Sequence, residues 1–163
     1  FSADSIHIND SLIYYTPKNR KVYGGGGIIP DVFVPVDSSR KDDFVRNILR
    51  KGLFEGYSLR LFNTIGDDVK TEYSDVSEFL EAFVLSDKQL NDFRMYSDKS
   101  GISTDDETFE RNIPFLNERV KVCLSRFTFG YMAYYQALVY YDDDVKALQN
   151  EIDKGIYKEL GLK

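Results

Sequence analysis

Tryptophan is absent from this chain, and cysteine and histidine each occur once, as Cys123 and His7. A single Cys excludes an intrachain disulfide. One Cys and one His cannot make a zinc site of His and Cys ligands. A catalytic thiol needs a His beside it, and His7 lies far upstream of Cys123. Cys123, in VKVCLSRF on a predicted helix, therefore reads as a small buried hydrophobe. Positive charge is also short, with Lys+Arg 21 against Asp+Glu 27 and a net charge of −6. Phosphate contacts need clustered Lys and Arg, so this balance excludes a nucleic-acid partner. Apolar runs are only a few residues long, which leaves nothing to span a membrane. No charged-then-apolar signal segment opens the chain. The first residues, FSADSIHIND, include no Met and read as the interior of a longer protein.

What is present is enough for a core: 42% hydrophobic residues, with all the aromatics supplied by Tyr and Phe. The chain is long enough for one domain, or one domain and part of another. Its character changes near residue 37. Before that point SIHI, SLIYY, KVY and DVFVPV are β-branched or aromatic runs separated by turn residues, and they predict two to four short strands. Pro17, Pro30 and Pro35 all fall in this part, and only Pro114 follows it. After residue 37 the apolar spacing becomes helical. The expected fold class is mainly α: a multi-helix domain over 38–163, preceded by a short β segment over 1–37.

The helices carry start and stop signals. Phe44, Val45, Ile48, Leu49, Leu53, Tyr57, Leu61, Phe62 and Ile65 form one stripe, predicting a helix over 42–65 that bends at Gly52 and Gly56 and stops at Gly66. Asp75 with Glu78, and Ser86 with Gln89, have capping-box spacing, and the second helix is expected to end at Gly101. Thr104 with Glu107 is expected to open the next. Pro114 then starts a new helix or kinks this one. A helix through Leu116, Val120, Leu124 and Phe127 should run to Gly130, an aromatic one over 131–140 should follow, and Asp142 should cap a last one carrying Val145, Leu148, Ile152 and Ile156. No period of 20–50 residues marks a solenoid.

Few motifs carry chemistry. The four glycines at 24–27 lack GxxxxGK[ST], so they are not a nucleotide P-loop. They suit an anion-binding nest or, more simply, a tight turn. Ser38 and Lys41 have Ser-x-x-Lys spacing, but in the polar stretch DSSRKDD the Lys stays solvated and protonated. Asp142, Asp143 and Asp144 lack calcium-loop spacing and suit a helix N-terminus. Asp67 and Asp68 read as a solvated turn. The run YYQALVYY at 134–141 suits either an aromatic binding surface or, more commonly, core or interdomain packing. No metal or cofactor site is expected.

The segment YYTPKNRKVYGGGGIIPDVFVPVD resembles the C-terminal processing peptidases, or tail-specific proteases, a family of serine peptidases. Tyr15, Thr16, Pro17 and Arg20 match the family's Tyr-Thr-Pro-x-Gly-Arg strand. Gly27, Ile28, Pro30 and Asp31 match its Gly-Ile-x-Pro-Asp element, and Gly24, Gly25 and Gly26 complete a glycine loop similar to that of its Bacteroidetes-type branch. Asn19 replaces the usual Gly, and both tolerate left-handed backbone. FVRNILRKGLFEGYSLRLF, SEFLEAFVLSDKQLNDF and ERVKVCLSRFTFGYMAYYQALVYYDDDVKAL are similar to the family's helical C-terminal extension.

The resemblance implies the last strands of a peptidase domain followed by a non-catalytic helical domain. The Ser nucleophile and Lys base of the implied endopeptidase, its substrate-selecting PDZ-like module and a signal segment are all expected upstream. The implied setting is a bacterial periplasm or envelope. The implied partners are the upstream peptidase domain, protein substrates with unstructured C-terminal tails, and a second copy of the chain, with the helical domain packing on, gating or oligomerising the enzyme. The alternative from a different class is a stand-alone helical protein–protein interaction module.

Overall fold

The β-branched and aromatic runs IYY and KVY, with a Thr-Pro-Lys-Asn turn between them, favour a hairpin. The computed structural model, which describes residues 13–17, 19, 21–24, 34 and 42–159, contains it. Strand β1 (Ile13–Tyr15) pairs antiparallel with β2 (Lys21–Tyr23), with Tyr15 opposite Lys21 and Ile13 opposite Tyr23. Asn19 takes φ 60, and its N–H donates to the Thr16 carbonyl at 2.8 Å. Asn is among the few side chains that accept this left-handed conformation. The runs SIHI and DVFVPV, apart from Val34, lie outside the described residues. The chain divides into two compact units, Phe1–Asp37 and Ser38–Lys163.

The second unit is helical. Helix α1 (Asp43–Arg50) starts at Asp42, whose Oδ1 accepts from the Val45 N–H at 2.9 Å. The stripe read as one helix over 42–65 is two, because Gly52 sits at φ 64 and breaks the chain rather than bending it. Helix α2 then runs Leu53–Glu72, straight through Gly66. Gly66 is buried because the Phe62 ring lies over it, where a Cβ would collide with the ring. It is a packing position, not a stop. Asp67 and Asp68, read as a turn, are exposed residues of α2.

Helix α3 (Val76–Ala82) begins at Asp75, whose carboxylate accepts from the N–H groups of Ser77 and Glu78. The Glu78 carboxylate reaches one residue further back than in a capping box, to the N–H and hydroxyl of Ser74. Helix α4 (Asp87–Lys99) has the reciprocal Ser86–Gln89 box as expected. It closes at Gly101, φ 75, with Ile102 N–H on the Ser97 carbonyl and Gly101 N–H on that of Asp98. This pair of bonds is a Schellman motif. Helix α5 (Asp106–Phe129) is capped by Asp105 rather than Thr104, because the Asp105 carboxylate takes the Thr108 N–H at 2.8 Å. It continues through Pro114 without a new start. Gly130 alone separates it from α6 (Tyr131–Tyr141). Asp142 caps α7 (Asp143–Asp153), and Gly155, φ 80, splits the expected last helix before α8 (Ile156–Glu159).

Helices α2 and α5 form the central pair, with α1 and α4 against α2, and α3 and α6 against α5. Their meeting surface holds the fully buried Phe79, Phe93, Ile48, Leu116 and Leu124. Phe93 stacks on Phe54 at 5.5 Å and meets Tyr57 edge-on at 5.1 Å. The fold is mainly α with a short β segment. Among the described residues, no helix is long and apolar enough to cross a membrane.

Candidate functional site

Of the expected motif residues, Gly24 directly follows β2, and Tyr15, Thr16 and Pro17 belong to the hairpin. Arg20, Gly25, Gly26, Gly27, Pro30 and Asp31 lie outside the described residues, as do His7, Ser38 and Lys41. Cys123 is partly buried on α5, and burial pushes its thiol up to about 11. A thiol held protonated at neutral pH is a poor nucleophile. Asp142 is a helix cap, and Asp143 pairs with Lys146 at 3.6 Å. Among the described residues, no group of three or more His, Cys, Asp or Glu side chains is placed to hold a metal.

Two open grooves lie among the described residues of the helical unit. One, of about 270 Å³, lies between α2 and α4 and is lined by Tyr57, Arg60, Asp92, Tyr96 and Lys99 among others. The Tyr57 hydroxyl donates to the Gln89 carbonyl at 2.6 Å, and burial pushes its pKa up to about 12. Tyr96 lies across Gly56, and the Arg60 guanidinium stacks 5.1 Å from its ring. The second, of about 400 Å³, opens where the starts of α1 and α5 meet, around Asp42, Asp105 and Arg111. Asp42 Oδ2 accepts from Asn112 Nδ2 at 2.6 Å, so the carboxylate links the two helix starts. Tyr57, Arg60 and Tyr96 in the first groove, and Asp42, Asp105 and Arg111 in the second, are engaged in structural contacts.

The surface of α6 is different. Its eleven residues, YMAYYQALVYY, include no charge. A helix that is apolar all round is normally covered all round, yet α6 is covered on one side only. Ala133 and Ala137 are buried, with Tyr134, Leu138 and Tyr141 partly buried beside them. The opposite side presents Tyr131, Met132, Tyr135, Val139 and Tyr140 to solvent, Met132 at 71% exposure. At eleven residues α6 is too short to span a bilayer. Beneath it, Lys121 Nζ donates to the Leu80 carbonyl at 2.7 Å, and the Tyr141 hydroxyl donates to the same oxygen at 3.4 Å. Lys121 is buried, and desolvation pulls its pKa down against the raising effect of Glu118. Helix α7 has no buried residue, and it leaves Val145, Leu148 and Ile152 exposed at i, i+3 and i+7.

A family model described as a family of unknown function (DUF8443) matches residues 44–130, just over half of the chain. The chain belongs to that family. The matched span runs from the first turn of α1 to Gly130, the residue after α5. No curated protein and no solved structure matches the chain.

The aromatic run at 131–141 thus packs on the core along one side and is open along the other. Sequence reasoning did not separate the two. The signal was there in the missing charge: an amphipathic surface helix of this length carries Lys or Glu on its outer side.

Proposed function

We propose that the helical unit is a non-catalytic docking domain of a bacterial, envelope-located serine endopeptidase that acts on proteins with unstructured C-terminal tails. The single observation that carries the docking role is the open apolar side of α6, a helix with no charged residue and one covered face. The resemblance of residues 14–37 to the tail-specific proteases supplies the enzyme class. The hairpin and the left-handed Asn19 are compatible with it. In this reading the Ser and Lys that perform hydrolysis belong to an upstream peptidase domain, and α6 packs on that domain or gates its entrance.

The test uses the whole gene product with Met132→Asp, Tyr135→Asp and Val139→Asp combined. Cleavage of a substrate with an unstructured C-terminal tail is measured beside the mass in solution. The expected result is a change in activity of about tenfold or more, or a changed mass, with helix content retained. Unchanged kinetics and unchanged mass refute the docking role. A whole gene product without peptidase activity refutes the enzyme assignment.

A second reading, a stand-alone helical interaction module, is favoured by the family match beginning at Phe44, after the hairpin. An immunoblot of cell fractions separates the two. A single native band near 18.8 kDa favours the module, and a much heavier band in the envelope fraction favours the peptidase.

A further inference from the structure

The stripe on α7 differs from the α6 surface in what borders it. With 100° per residue, Val145, Leu148 and Ile152 lie along one line of the helix. Asp144 and Glu151, seven residues apart, run along one side of that line. Asp142, Gln149 and Asp153 run along the other. Lys146 projects away from the stripe and pairs with Asp143, and Lys154 pairs with Glu151 on the flank itself. Asp142, Asp144 and Asp153 have no cationic partner among the described residues. The result is an exposed apolar ridge with carboxylates on both flanks.

We propose that this ridge is the seat of a basic amphipathic segment of a partner protein, a helix whose apolar line is bordered by Lys or Arg. Helix-in-groove recognition uses anchors at this i, i+3, i+7 spacing, and opposite charge along the rim sets partner choice and approach. The chain's net charge of −6 steers a basic segment toward it. A second copy of the chain is disfavoured by the same border, because pairing two such stripes brings Asp144 and Asp153 of one copy against carboxylates of the other. An anionic membrane surface is disfavoured for the same reason. Three anchors bury less than the ~1,200 Å² of a stable interface, so the contact is weak and transient. This inference concerns α7 only and does not depend on what covers α6.

The test uses the whole 163-residue chain and two 14-residue probe peptides. One has leucines at i, i+3 and i+7 flanked by Lys, and the other has the same leucines flanked by Glu. Fluorescence anisotropy should show binding of the Lys peptide in the range of about 10–100 μM, at least tenfold weaker binding of the Glu peptide, and weakening with added salt. Asp144→Lys with Glu151→Lys should reverse the preference. Leu148→Asp should abolish binding of both. Asp144 and Leu148 are exposed and Glu151 is partly exposed, and far-UV circular dichroism should show retained helix content. Equal binding of the two peptides overturns the proposal, as does binding indifferent to the Lys variants. A chain that sediments at twice 18.8 kDa and becomes monomeric with Leu148→Asp also overturns it, in favour of self-association. Leu148-dependent binding to phosphatidylglycerol vesicles overturns it in favour of a lipid surface. Because no α6 residue is altered, each of these outcomes leaves the reading of α6 standing.

Discussion

Replacing Asp42 by Ala tests how the helical unit is tied together, because one carboxylate serves two helix starts. Its Oδ1 caps α1 through the Val45 N–H at 2.9 Å, and loss of such a cap costs about 1 kcal/mol. Its Oδ2 accepts from Asn112 Nδ2 at 2.6 Å. Asn112 is buried and keeps only the Thr108 carbonyl afterwards, at 2.7 Å. A hydrogen bond to a charged group is worth about 1.5–3 kcal/mol. The Arg111 contact, at 3.6 Å and largely exposed, adds little. The expected loss for Asp42→Ala is therefore about 3 kcal/mol. Urea unfolding followed by far-UV circular dichroism measures it, and a cycle with Asn112→Ala should return a coupling of about 1 kcal/mol or more.

The effect also depends on pH. Burial alone would raise the Asp42 pKa, but hydrogen bonds from the Val45 N–H, Asn112 and Arg111 outweigh it and hold the carboxyl below its ordinary value. A depressed native pKa means that the unfolded chain binds more protons between the two values. The stabilisation is then complete above the unfolded pKa and is lost as pH falls through the native one. The cost of Asp42→Ala should be full at neutral pH and should shrink in strong acid. A cost below about 0.5 kcal/mol at neutral pH, or one equally large in acid, refutes the linkage.

Substitutions at two further positions are probed in the same assay. Gly52→Ala should destabilise by about 1 kcal/mol, from backbone strain at φ 64 alone, because nothing lies within 4 Å of the added Cβ. Gly52→Asn should cost less, and equal costs for Ala and Asn would refute a purely backbone origin. Lys121→Met should be neutral within about 1 kcal/mol, or stabilising, because it removes a desolvated cation that donates to the Leu80 carbonyl. With the native Lys121 pKa depressed, the wild type carries its charge penalty at neutral pH and sheds it as pH rises toward the ordinary lysine value. Any advantage of the variant should shrink in that direction, and one that grows instead would refute the assignment.

The helix starts were legible because capping is local. Asp75, Ser86 and Asp142 each find their donors within three residues. The interior glycines were misread because their roles are decided by neighbours across a turn or in another helix. Gly66 looks like a stop, but the Phe62 ring needs the space. Gly56 looks like a flaw, but Tyr96 from α4 lies across it. Gly52 was read as a bend, and a left-handed φ made it a break. Thr104 and Asp105 both offer an N-cap side chain, and sequence spacing alone favoured the wrong one by a single residue. The fold class was readable from the change of period near residue 37. The candidate surface was visible only as an aromatic run, since periodicity cannot show which side of an apolar helix is left bare. The acidic border of the α7 stripe was in the sequence from the start, disguised as a helix cap.

The shared Leu80 carbonyl divides the chain into parts that open at different free energies. Lys121 of α5 and Tyr141 of α6 both end on that oxygen of α3, and Ala133 and Ala137 are sealed against the core. To peel α6 away is to disturb α3 and α5 as well, so these three belong to one cooperative unit. Helix α7 has no buried residue to hold it to that unit. Asp142 is the border between that unit and a helix whose described side chains all remain at least partly exposed. A ligand on α6 meets a surface already made. A ligand on α7 grips a helix with no buried side chain behind it, which makes α7 a place where binding is readily reversed.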